Sequence, residues 1–171
     1  MTAQRIGFIG LGVMGEPMCR NLSLKSGCQV TAFDVCAEPL ERLAEAGVSQ
    51  AGSIAELANA DVIFLSLPSG KAVREVCLEP ERLVDHARSG TTVVDLGTSP
   101  VALARELEDR FIACGVGFAD APVARTREAP RYPDLKHHGR WPAGRLRSDR
   151  TSAATIGEEI TYWVRRAGGS W

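Results

Sequence analysis

The chain has 171 residues, 44% of them hydrophobic and 24% charged, and carries a net charge of −1. That length fits one globular domain, or one with a further piece, and the near-neutral balance gives no electrostatic argument for nucleic acid or a membrane surface as partner. No stretch reaches the ~18 apolar residues of a membrane helix, and the amino-terminal apolar run is too short and too rich in glycine to read as a cleavable leader.

In chain order, the first element is an apolar strand over 5–9 that empties into Gly10-Leu11-Gly12-Val13-Met14-Gly15. A Gly-x-Gly-x-x-Gly turn between a strand and a helix has a physical reading. Gly10 permits a tight turn, Gly12 has no side chain to hold a pyrophosphate off the backbone, and Gly15 lets the helix pack close to the strand. The free N–H groups and positive dipole end of the following helix, predicted over 16–25, then attract phosphate. A second strand over 29–33 ends at Asp34, placed to accept hydrogen bonds from an adenosine ribose. A glycine-rich structural turn is the alternative; the order strand, turn, helix, strand, acid favours the dinucleotide.

The alternation continues. A helix over 37–46 has Leu40, Leu43 and Ala44 on one face and Gly47 as its C-cap. Ser53 and Glu56 have the spacing of a capping box opening a helix over 54–58. Strands are predicted over 61–66, 91–95 and 117–119, with helices over 71–77 and 101–114, the latter with Pro100 in its first turn. The strands are rich in Val, Ile and Phe, as when helices cover both sheet faces. These units define an α/β fold, a doubly wound parallel sheet of the Rossmann type, with ligands beyond the carboxyl ends of the strands.

Past Val123 the pattern changes. All three tryptophans and both tyrosines lie after residue 129, and Pro130, Pro133 and Pro142 interrupt any periodicity. Residues 1–129 hold 12 basic and 17 acidic side chains, residues 130–171 hold 8 and 4, so the sign of the charge reverses. The expected organisation is a dinucleotide-binding domain over 1–129 and an irregular tail over 130–171, with at most a short helix over 156–164. The five cysteines (Cys19, Cys28, Cys36, Cys77, Cys114) are scattered and odd in number, which reads as reduced thiols in a cytoplasmic protein. His137 and His138 are an isolated pair in a loop, and no metal is expected there.

Four stretches together resemble the β-hydroxyacid dehydrogenases, the group of 3-hydroxyisobutyrate dehydrogenase. They are Gly10–Met18 with Asn21, Leu22 and Gly27; Leu65-Ser66-Leu67-Pro68; Asp95-Leu96-Gly97-Thr98-Ser99-Pro100; and Phe118–Val123. The resemblance implies hydride transfer between a small 3-hydroxy acid and a nicotinamide, with NAD favoured over NADP because the Asp34 carboxylate repels a 2′-phosphate. It implies that Gly10, Leu11, Gly12, Val13, Met14 and Gly15 hold the pyrophosphate and Asp34 the ribose. Leu67 and Pro68 flank the nicotinamide, and Thr98 lies near both cofactor and substrate carboxylate. The family usually has Ser where this chain has Gly97, and Ser-Gly-Gly where it has Ala124-Arg125-Thr126. Arg125 or Arg127 is then a candidate for the substrate carboxylate, with a solvated surface arginine as the alternative.

The family's second, helical domain supplies a catalytic lysine in a Gly-x-Gly-x-x-x-Lys-x-x-Asn-Asn context. No such motif occurs in the 171 residues, so no catalytic residue is assigned. Degenerate back-translation of 130–141, read one nucleotide later, permits a Gly-Thr-Leu…Val-Gly-Gly strand resembling the family's next segment. The expectation is an out-of-frame tail and a truncated oxidoreductase of little activity alone. A dinucleotide-binding module without chemistry, or a non-functional fragment, is the alternative. The family's oligomer contacts lie largely in the domain without a counterpart here, which leaves the oligomeric state open.

Overall fold

The structure is a computed structural model that describes residues 4–79 and 82–121. Six strands form one parallel sheet in the order β3-β2-β1-β4-β5-β6. In chain order they are β1 Arg5–Ile9, β2 Gln29–Phe33, β3 Ser49–Gln50, β4 Val62–Leu65, β5 Thr92–Asp95 and β6 Gly117–Asp120. The helices are α1 Gly15–Ser26, α2 Ala37–Ala44, α3 Gly70–Leu78, α4 Leu83–His86 and α5 Val101–Ala113, with a 3-10 helix over Ile54–Asn59. This is the doubly wound fold expected from the alternation. The sheet is built outward from β1: Ile6 pairs with Val30 of β2 on one side and Val62 of β4 on the other. Strand order therefore reverses between β1 and β4, and a crevice opens where their carboxyl ends diverge.

Each central strand is apolar throughout because successive side chains enter different layers. In β4, Val62 and Phe64 join Ile6, Phe8, Leu22, Val30 and Leu43 in the layer beneath α1 and α2. Ile63 and Leu65 join Leu57, Val73, Leu83, Leu107 and Phe111 beneath the opposite helices. Phe8 and Phe64, paired across β1 and β4, set their rings 6.2 Å apart. On the opposite face Arg74 of α3 and Glu106 of α5 form a two-point ion pair. Among the described residues no helix is long and apolar enough to cross a membrane.

The second helix ends at Ala44 with Glu45, not Gly47, as its C-cap. Gly47, at φ +79°, closes the turn that follows: Val48 N–H reaches back to Leu43 O and Gly47 N–H to Ala44 O, with Leu43 and Val48 both buried. Other local expectations are corrected. Ser53 stands at the N-cap of the segment after it, but its side chain makes no capping bond. Glu56 instead reaches back to the N–H of Gly52, at 3.1 Å, and the segment is a 3-10 helix, closed by bonds such as Glu56 N–H to Ser53 O. Pro100 is the N-cap of α5, one position before the first turn; its carbonyl accepts from Ala104 N–H at 3.0 Å. Two short elements, β3 and α4, were not anticipated. The proposed boundary at 129 and the reading of 130–171 lie outside the described residues.

Candidate cofactor site

The loops that follow β1, β2, β4 and β5 converge at the crevice. Two of the three motif glycines are demanded by the fold itself. Gly10 has φ +93°, and a Cβ there would stand 2.3 Å from Ser66 O, in the loop leaving β4. At Gly15 a Cβ would stand 2.0 Å from Gly10 O, because α1 starts hard against the turn. Gly12 is different. Its backbone lies outside the left-handed region, and a Cβ would meet nothing within 4 Å. Among the described residues neither conformation nor packing asks for glycine at this position. An open approach to backbone amides is what a pyrophosphate requires.

The start of α1 fits the same ligand. Met14 is its N-cap, and no side chain accepts from the first turn. Val13 is 88% exposed. The twelve-residue helix presents its positive end to the crevice without a side-chain cap, although the Glu16 N–H already donates to Gly12 O at 3.0 Å. Leu11 divides its roles: its side chain is buried in the core beneath α1, while its N–H donates to Asp34 Oδ2 at 2.5 Å. Asp34 Oδ1 accepts from Cys36 N–H at 2.8 Å. The Asp34 carboxylate is therefore pinned by one amide from the glycine loop and one from its own turn, each leaving a lone pair on its oxygen.

Beyond β4, Leu67 is half-buried and Pro68 exposed. Thr98 is exposed in the loop after β5. The fold thus gathers Gly10, Leu11, Gly12, Val13, Met14, Gly15, Asp34, Leu67, Pro68 and Thr98 at one end of the sheet. Arg125 and Arg127 lie outside the described residues, as do His137 and His138.

Sequence reasoning missed two features. Asp95 is fully buried at the end of β5, and it accepts from Gly97 N–H at 2.9 Å and from Ser99 Oγ–H at 2.6 Å. An Asp bonded to the backbone two residues on is a known turn pattern, so Asp95-Leu96-Gly97 was legible in principle. The second is Glu16, in the first turn of α1, gripped at both oxygens by Arg42 of α2, at 2.9 and 2.6 Å. That hydrogen bonding, opposed by partial desolvation and helped by the charges of Arg42 and Arg20, holds the Glu16 carboxyl below its usual range. A lowered folded pKa stabilises above the unfolded value and stops doing so as pH falls through the folded one. Glu16→Gln is expected to lower Tm slightly at neutral pH, since Arg42 is exposed. The gap to wild type should close as pH drops below about 4.3; thermal melts across pH 3–7 check it.

Of the five sulfurs, only those of Cys19 and Cys77 are buried, while Cys36 and Cys114 are exposed. Burial pushes the Cys19 thiol up to about 12, with Arg20 opposing, and all five cysteines are free.

A parallel sheet in this order, with an open glycine turn and a helix start without a side-chain cap at its switch point, is the architecture of a dinucleotide-binding α/β domain. The chain belongs to the family of the NAD binding domain of 6-phosphogluconate dehydrogenase, matched over residues 5–136. It is similar to the NAD-dependent L-serine dehydrogenase of Pseudomonas aeruginosa, 35% identical over 122 residues, which are 71% of this chain and 41% of that protein. Among solved structures it resembles Mycobacterium tuberculosis 3-hydroxyisobutyrate dehydrogenase with L-serine, with TM-score 0.66 and 34% identity over 72% of this chain and 42% of that one. It also resembles Psf3 in complex with NADP+ and 2-OPP, with TM-score 0.64 and 32% identity over 70% and 43%. The resemblance to hydroxyacid dehydrogenases read from the four motifs is borne out. The chain spans about two fifths of the length of these relatives, and bound cofactors among the neighbours do not choose between NAD and NADP.

Proposed function

We propose that this chain is the cofactor-binding portion of an NAD-dependent oxidoreductase acting on small 3-hydroxy acids, and that these 171 residues alone turn over little or nothing. The observation that carries the reading is the open space at Gly12, a glycine for which the fold has no use. A nicotinamide dinucleotide supplies the hydride chemistry when bound. The chain's part is to seat it: Gly10 to Gly15 at the pyrophosphate, Asp34 at the adenosine ribose, Leu67 and Pro68 beside the nicotinamide. Thr98, and Arg125 further on, would meet the substrate carboxylate. The pinned Asp34 carboxylate supports NAD over NADP, since a 2′-phosphate would be brought against a fixed negative charge. The domain unit is 1–129, with 130–171 read from a shifted frame; the coding DNA after codon 130 tests that.

The absence of the lysine motif from the sequence also favours a second reading, a dinucleotide-binding module with no chemistry of its own. Two measurements separate the cases. NADH fluorescence titrated with the folded chain is expected to saturate; a folded chain with no saturable signal ends the cofactor reading. Turnover of L-serine, 3-hydroxyisobutyrate or glycerate with NAD is expected to fall far below the ~1–10³ s⁻¹ of ordinary enzymes. Turnover within that range would overturn the claim of little activity alone, and with it the module reading.

A further inference from the structure

We propose that Asp95 is a positioning residue for the nicotinamide half of the cofactor: its buried carboxylate clasps the β5–α5 loop into the shape that presents Thr98 to the crevice. The inference rests on the cofactor reading above. Asp95 has no solvent exposure, and among the described residues its side-chain oxygens accept from Gly97 N–H and Ser99 Oγ–H, both in the loop that follows it. No ion pair compensates it among the described residues. A neighbour is the buried Cys77 thiol, pushed well above its usual range by burial first and by the Asp95 charge second. A carboxylate in such a place is costly to bury. An apolar residue would serve the core better, so what the carboxylate provides is the loop conformation.

The clasped loop is also bound to its neighbour. A Cβ on Gly97 would lie 3.1 Å from Asp95 Oδ1 and 3.4 Å from Leu67 O, so the turn is pressed against the exit of β4. A Cβ on Gly70, at the start of α3, would stand 2.8 Å from Pro100 Cδ and 3.3 Å from Leu103 Cδ2. The β4 and β5 exits thus form one packed platform, with exposed Pro68 and Thr98 on it. The glycine loop and Asp34 are joined through the Leu11 N–H and touch the platform at Ser66 and Leu67, but both Asp95 hydrogen bonds stay within the β5–α5 loop, apart from that contact.

That separation supplies the test. ADP-ribose keeps the pyrophosphate and adenosine but lacks the nicotinamide. Binding of NADH and of ADP-ribose is measured by calorimetry for the 171-residue chain and for Asp95→Ala, Asp95→Asn and Ser99→Ala. Losing one or two hydrogen bonds that shape the platform is expected to weaken NADH about 3- to 10-fold, with ADP-ribose changed by less than about twofold on the same scale. Asp95→Asn, which keeps an acceptor for Gly97 N–H, is expected to fall between wild type and Asp95→Ala. Equal losses for both ligands would mean that Asp95 serves stability alone, and unchanged NADH binding would mean that the clasp does not matter; either overturns the proposal. If Asp95→Ala does not fold, Ser99→Ala, which removes one half-buried donor, decides on the same terms. A folded wild-type chain that binds neither ligand refutes the cofactor reading itself, a different outcome from wild-type binding with a variant that behaves like it.

Discussion

Gly12→Ala is expected to leave Tm at or slightly above the wild-type value while lowering NADH affinity about 10- to 100-fold. The stability half follows from geometry. The added methyl meets no atom within 4 Å, and the backbone is one that L residues adopt. Replacing glycine at a compatible position restricts the unfolded chain and stabilises by about 0.4–1 kcal/mol. The affinity half rests on the proposed pyrophosphate seat: a methyl on Gly12 would take up open space through which the phosphates would approach the backbone amides of the glycine loop. Hydrogen bonds to a charged group contribute about 1.5–3 kcal/mol each, and losing one gives the stated range. A paired melt and fluorescence titration checks both halves. A variant that binds as wild type does would show that the open space is not where the phosphates approach.

Gly10→Ala is expected to do the reverse and damage the fold itself. A residue with a Cβ at φ +93° is strained by about 1–3 kcal/mol, and here the Cβ would also stand 2.3 Å from Ser66 O and 2.9 Å from Ser66 C. These are backbone atoms at the end of β4, whose Ser66 N–H is bonded to Ile9 O at 2.8 Å. Relief therefore requires prying apart the central pair of strands. A loss of at least ~3 kcal/mol is expected, seen as a Tm lower by roughly 10 °C. Cofactor binding should fall with it, so the two variants separate a glycine kept for a ligand from a glycine kept for the chain. An unchanged melting curve for Gly10→Ala would contradict the close approach of β1 and β4 loops.

Those glycines also mark how far the sequence could be read. The long apolar strands and the motif turn are local signals, and they placed β1, β2, β4, β5 and β6 within a residue or so of their observed bounds. β3 failed because two exposed residues, Ser49 and Gln50, have no periodicity to detect; pairing with β2 defines them. The four-residue α4 failed for a similar reason: Leu83 and Val84 are recruited by the core rather than by propensity. At the site, residue identities were legible but their partners were not. Nothing near Leu11 announces that its N–H is taken by a carboxylate 23 positions on, nor does anything near Glu16 announce Arg42. Such bonds exist only after the sheet has brought separate loops to one edge. Asp95 is the intermediate case, since its bonds are local but its burial is not.

The strand order has a consequence for how the molecule comes into being. β1 is synthesised before the other five strands and becomes one of the two central ones, yet Ile6 must wait for Val62 before its β4 side is closed. Until then one edge of a strand that is apolar on both faces stands open to any other chain. Closing a loop of more than fifty residues before any β1–β4 contact is gained slows the search. Refolding is accordingly expected to be slow for the chain's size and to lose yield to aggregation as concentration rises.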